Sequence, residues 1–180
     1  SDYLWNTFLL NAVSLIVALI FAIPIGIRQA VKKGSFEDNF WTVFSLMGIS
    51  VPTFFFGLLL IFFVGQNVSW LPISGMRDTM LASFGYDNIF QEIGDVAVHM
   101  ILPTIVLAFG SFATFSRYVI NSMVEVINMD YFRTARAKGL KEKTVIYKHA
   151  FKNALIPLVT LLGLYIPSLF SGAVILETVF

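Results

Sequence analysis

The chain has 180 residues, 57% of them hydrophobic and only 13% charged, with a mean hydropathy of +0.80 and no cysteine. Soluble domains are nearer half apolar and a quarter charged, so this composition excludes an ordinary water-soluble domain, and the lack of thiols excludes disulfides and thiolate-held metal. The formal net charge of +1 points neither to nucleic acid nor to an acidic ligand; where the charges lie matters more than their sum.

Four runs without charge follow one another. Tyr3 to Ile27, YLWNTFLLNAVSLIVALIFAIPIGI, is the first, and the second lies in FWTVFSLMGISVPTFFFGLLLIFFVG, Phe40 to Gly65. The third opens with MILPTIVLAFGSFATFS at Met100 and is expected to continue as a helix past Arg117 to Ile127. The fourth is NALIPLVTLLGLYIPSLFSGAVIL, Asn153 to Leu176. At about 1.5 Å per residue, about 20 residues cross about 30 Å of hydrocarbon, so each run can span a bilayer. Backbone in lipid must satisfy its own hydrogen bonds, which favours helices, and the lack of apolar–polar alternation argues against a β-barrel. The expected fold class is all-α, a polytopic membrane helical bundle.

Each span carries proline: Pro24, Pro52, Pro103, and both Pro157 and Pro167. Neighbouring helices can repair the lost hydrogen bond; the other reading is a kink that lines or gates a path. That second reading attaches to Ser50 and Pro52, in GISVPTFFFG. The small residues Gly48, Ser50, Gly57, Gly110, Ser111, Gly163 and Gly172 permit close helix contact.

Loop charge gives an orientation. Arg28, Lys32 and Lys33 follow the first span, and Arg117, Arg133, Arg136, Lys138, Lys141, Lys143, Lys148 and Lys152 lie between the third and fourth. The loop 66–98 holds Arg77 alone, against Asp78, Asp87, Glu92 and Asp95. The positive-inside rule makes the basic side cytoplasmic, with both chain ends outside. The expectation is an excerpt from a longer membrane protein, with at least one earlier span. The outer loop is longer than ordinary connections, and its YDNIFQEIGDVAV has the apolar spacing of a short helix.

The basic segment DYFRTARAKGLKEKTVIYKHAFKNALIP, Asp130 to Pro157, is the compact feature of the inner side. Ile120, Met123, Val124 and Ile127 extend the third helix beyond the bilayer as an amphipathic stripe. Asp130 can cap a new helix, Gly139 can stand just past its end, and Lys138 favours its last turn. YFRTARAK then makes about two turns, about 12 Å long, too short to be stable without something to pack against. KEKTVIYKHAFKNAL can rise as a second helix into the fourth span, closing an elbow over 128–152. Three readings stay open for this elbow: a solvated positive-inside loop, a lipid-headgroup patch, and a protein-docking knob favoured by Tyr131, Phe132 and Leu140.

Catalytic motifs are missing from the sequence. There is no G-x-x-x-x-G-K-[ST] phosphate loop, no HExxH and no GxSxG. His99 and His149 fall on opposite sides; His99 could touch a metal substrate, although a structural role at the interface is the simpler reading. Glu177 is an interfacial charge or a substrate or partner contact. An ion-coupled secondary transporter is the rival class, but the four span cores carry none of the ionisable groups that proton relays use.

DYFRTARAKGLKEKTVIYKHAFKNALIPLVT resembles the cytoplasmic signature of permease subunits of the dipeptide/oligopeptide/nickel class of ABC importers. IPIGI, SVPTFFFGLLLI, WLPISG, ILPTIVLA and GAVILETVF fall in that family's order, and WLPISG resembles the first of its two permeases. The resemblance implies the type I importer transmembrane fold, with spans two to five of six present here. It further implies a non-catalytic subunit without a cofactor in a bacterial or archaeal cell membrane, forming half of a path for peptides or similar solutes. The implied partners are a second permease subunit, two ATP-hydrolysing subunits, an external solute-binding protein and the lipid bilayer, with no nucleic acid. Tyr131, Phe132, Arg133, Thr134, Ala135, Arg136, Ala137, Lys138, Gly139 and Leu140 would form the coupling helix that enters an ATPase subunit. The general importer motif begins Glu-Ala-Ala, with Gly four residues after the second Ala; here Arg133, Thr134 and Ala135 stand there, and the glutamate is absent. The loop 66–98 is expected to pack over the outer mouth and meet the delivering protein.

Overall fold

The computed structural model describes residues 2–139, 141–170 and 179–180, and the regular structure among them is helical throughout. Helix α1 runs Asp2–Val31 and carries Pro24 without ending. A turn through Gly34, at φ 82°, leads to Ser35, whose Oγ accepts from the Asp38 amide at 3.2 Å and caps α2, Phe36–Ser50. Glu37 cross-braces the turn, meeting Arg28 at 2.6 Å and Lys32 at 2.8 Å.

The second apolar run is not one straight helix, as a single span over 40–65 would require. It is α2 followed by α3, Thr53–Asn67, bent by 102°. Pro52 explains the break. It has no N–H to continue the ladder, and its ring pushes the preceding residue out of the α region, which leaves Val51 at φ −86°, ψ 123°. The ladder restarts when the Phe56 amide donates to the Pro52 carbonyl at 3.0 Å.

The connection between α3 and the next long helix holds α4, Thr79–Phe84, and α5, Ile89–His99, the second over the stretch that the apolar spacing marked. Met100 separates α5 from α6, Ile101–Ile127, which runs unbroken past Arg117. Beyond lie α7, Asp130–Ala137, and α8, Glu142–Thr144. A π-helical turn over Val145–Ala150 joins α8 to α9, Phe151–Tyr165, which tightens into a 3-10 turn at Ile166–Leu169. Gly172 and Glu177 lie outside the described residues.

Helix α6 is the axis of the packing, with α1, α2, α3 and α9 against it. Two glycines set how closely helices approach. A Cβ on Gly26 would stand 2.8 Å from Val119 Cβ, and one on Gly48 would stand 2.9 Å from Ala113 Cβ. Small residues at the contact let backbones come together where lipid removes the usual hydrophobic drive. Ser45 and Ser116, both buried, meet hydroxyl to hydroxyl at 3.2 Å in the same seam. Trp41, Phe44, Phe109 and Phe112 fill the wider gap beside it with edge-on ring contacts.

Among the described residues three helices are long and apolar enough to cross a membrane: Trp5–Val31, Ile101–Ile127 and Glu142–Leu169; the bent pair α2–α3 makes a fourth if it counts as one span. Ile16, Ile20, Phe62, Phe63, Ile156 and Leu164 stand outward, a surface suited to lipid rather than to water.

Candidate functional site

The elbow begins where α6 stops. The Asn128 and Met129 amides donate to Val124 and Val126 carbonyls at 3.3 and 3.1 Å, closing the helix, and Met129 accepts from Phe132 at 3.1 Å to start α7. Asp130 is the first residue of α7 rather than the residue before it. Thr134 Oγ1 returns to the Asp130 carbonyl at 3.0 Å, and the Lys138 amide reaches Thr134 at 3.1 Å. Gly139 follows at φ 75°, the left-handed conformation expected just past a helix end. A second arm starts at Lys141, whose carbonyl accepts from Thr144 at 2.8 Å.

Phe132 corrects the picture of an outward aromatic tip. Its side chain is 1% exposed, inside the buried cluster that also holds Met123, Val126, Val145, Ile146 and Ala150. It therefore pins α7 against the ends of α6 and the returning arm, which supplies what a two-turn helix lacks alone. Arg133, Thr134, Ala137, Lys138 and Gly139 stand exposed on the other side, with Lys141, Glu142 and Lys143 beside them. The backbone of Tyr131, Ala135 and Arg136 belongs to α7; their side chains, and all of Leu140, lie outside the described residues. Ser50 and Pro52 are exposed at the bend, away from the elbow in sequence, and Gly110 of α6 faces Thr53 there.

Two polar arrangements escape a reading by motif. At the basic end, Gln29 is wholly buried and its Nε2 donates to the Asp38 carbonyl at 3.2 Å and to Asp38 Oδ1 at 3.1 Å. A cleft of about 500 Å³ opens beside it, lined by Lys33, Asp38, Thr42, Arg117, Asn121 and Glu125. The only sequence signal was a glutamine one turn inside a basic helix end.

At the acidic end, Asp95 Oδ2 accepts from the Asp78 amide and the Tyr86 hydroxyl, each at 2.9 Å, while Oδ1 lies 3.1 Å from His99 Nδ1. Burial pushes the Asp95 carboxyl up, but the Asp78 amide, the Tyr86 hydroxyl, His99 and Arg77 together hold it below its ordinary value. Tyr86 is pushed up by burial and by donating to Asp95. Arg77 pairs with Glu92 at 2.7 Å. The spacing of Asp95 and His99, four apart on one helix, was a legible hint of this cluster. Among the described residues no group of three metal-ligating side chains gathers, and His99 is held by its own helix.

These features define a class: a multi-pass helical membrane protein with a short basic helix held out from its spans. Residues 22–180 match the family of binding-protein-dependent transport system inner membrane components, and the chain belongs to that family. It is 43% identical over 175 residues to the oligopeptide transport system permease protein AppB of Bacillus subtilis, covering 97% of this chain and 53% of that protein. The dipeptide transport system permease protein DppB of Escherichia coli K12 is 38% identical over 187 residues, covering 95% and 54%. The di/tripeptide transport system permease protein DppB of Pseudomonas aeruginosa is 36% identical over 194 residues, covering 98% and 58%. The chain thus spans about half the length of the curated relatives it matches.

Proposed function

We propose that the chain is the permease part of an ATP-driven peptide importer, and that α7 with Gly139 is the element through which separate ATPase subunits act on it. The observation that carries this reading is the division of α7 into two sides: Phe132 locked in the core, and Arg133, Thr134, Ala137 and Lys138 left outward. A short helix anchored by one buried ring moves as a unit with the two arms that hold it. Displacement of α7 by a closing ATPase is therefore passed to α6 and to the π turn leading into α9. The break at Val51–Pro52, with Ser50 beside it, is the place where a change in packing on α6 can be taken up as rotation, and we assign it the part of hinge or gate. A second permease would complete the path, and an external binding protein would deliver solute. Peptides are the favoured solute because the relatives named above carry peptide names.

The test is Gly139→Asp in the assembled complex. Among the described residues a Cβ there meets nothing within 4 Å, so the substitution clashes with none of them. It does impose a left-handed backbone on a side chain and place a carboxylate beside the docking side. The subunit should reach the membrane in normal amount, while solute-stimulated ATP hydrolysis falls about tenfold or more, the factor that about 1.4 kcal/mol of lost docking energy gives. Lys141→Glu, an exposed rim charge, should change it little. Normal hydrolysis and partner retention in Gly139→Asp would reduce the elbow to a positive-inside loop.

A further inference from the structure

Helix α5 is inside out for a helix in water. Its exposed positions are Ile89, Phe90, Ile93, Gly94 and Ala97, which recur at helical spacing on one side, and not one of them is polar. Phe90 is 81% exposed. The polar side chains of the same helix turn toward the loop: Gln91 Oε1 accepts from the Asp87 amide at 2.8 Å, Glu92 holds Arg77, and Asp95 gathers Asp78, Tyr86 and His99. Nearby, Phe84 at the end of α4 is 88% exposed, and Trp70 stands out three residues beyond the end of α3. A water-facing loop has no use for such a face.

The position of α5 says what covers it. Met100 is at once the residue that ends α5 and the residue that starts the 27-residue span α6. The apolar face therefore ends directly before the start of a helix long and apolar enough to cross a membrane, at the level where such a span would leave the hydrocarbon. Aromatic side chains at this level are those that settle among headgroups. We propose that α5, with Phe84 and Trp70, lies in the headgroup boundary of the outer leaflet as an interfacial helix, its ligand a phospholipid surface. Charge refines the ligand. The loop sets Arg77 against Asp78, Asp87, Glu92 and Asp95, so an anionic headgroup adds no attraction and apolar burial alone drives the contact. The helix thereby fixes the outer loop laterally beside the entrance to α6.

Single cysteines can be placed at Phe90, Ile93 and Asp87 of the full-length subunit once any native cysteine outside these 180 residues is replaced by serine, and the subunit is assembled with its partners in nanodiscs of neutral phosphatidylcholine. Each carries a nitroxide, and retained solute-stimulated ATP hydrolysis confirms a native fold. The ratio of relaxation by oxygen, which partitions into lipid, to relaxation by a water-soluble nickel chelate should be about tenfold higher at 90 and 93 than at 87. Added salt should leave that ratio unchanged. Equal ratios at all three positions overturn the proposal. So does shielding of 90 and 93 from both reagents: if it is present from the start, a neighbouring subunit covers the face, and if it comes only with the binding protein, the face is a protein-docking surface.

Discussion

Glycine shows what one residue does in this molecule, and it is used here in two ways. Gly139 is used for its backbone, at φ 75° with no described residue within 4 Å of where a Cβ would stand. Gly26 and Gly48 are used for their missing side chains, where Val119 and Ala113 press in. Gly26→Val should therefore destabilise the purified subunit by about 1–3 kcal/mol, read as a lower thermal midpoint in detergent, because an inserted side chain forces α1 off α6. Gly163→Ala, with no described residue within 4 Å of its Cβ, should be neutral or slightly stabilising in its helix. Equal midpoints for the two variants would refute the close seam. Gly139 was legible in the sequence because a helix end announces itself locally, with Lys138 before it and a new basic helix after. Gly26 was not, since a sequence tells that a glycine lies in an apolar run but not which neighbour its empty side meets. Phe132 is the same case in reverse: an aromatic in a basic segment reads as surface until the fold brings Val145 and Ile146 over it.

Elements were more legible than their angles. The apolar runs and the amphipathic stretch that became α5 follow from residue spacing alone, and Pro52 marks a break in the second run. The 102° between α2 and α3 does not follow, because proline fixes where the ladder fails while packing on α6 fixes the direction. The outer elements also carry a charge dependence. Asp95 is held below its ordinary carboxyl value against the opposing effect of burial, so its contribution to stability is complete above that ordinary value and is lost as pH falls through the folded one. Amides from Asp78 to Asp95 should accordingly lose hydrogen-exchange protection, after correction for intrinsic rate, as pH drops below the carboxylate range. Asp95→Asn should show weakened protection already at neutral pH and no further acid step at this site. Full protection in that variant would mean that Asp95 does not hold the loop together.

At the scale of the molecule, charge distribution states more than any local pattern. Of the basic residues only Arg77 lies in the loop 66–98, while the rest lie within 28–33 and 117–152. Cysteine at Lys141 should thus react with a membrane-impermeant maleimide only from the cytoplasm, and cysteine at Asp87 only from outside. Reaction of both from one side would break the four-span arrangement. Class and family were readable at this scale because membrane spans need long apolar runs and the basic segment is distinctive. The polar cluster around Gln29 was not, and of the one around Asp95 only the spacing to His99 was, since each joins side chains whose proximity depends on how the helices and turns pack.

The π turn at Val145–Ala150 has a geometric consequence for the whole assembly. A π turn holds one residue more than an α turn, and one residue of α-helix is about 100° of rotation. The elbow and α9 are thus keyed to each other with a phase offset. The compass bearing of α7 relative to α9 therefore differs by that offset from the one an unbroken α-helix would give, a fixed setting through which movement of the elbow is still carried into the membrane helix.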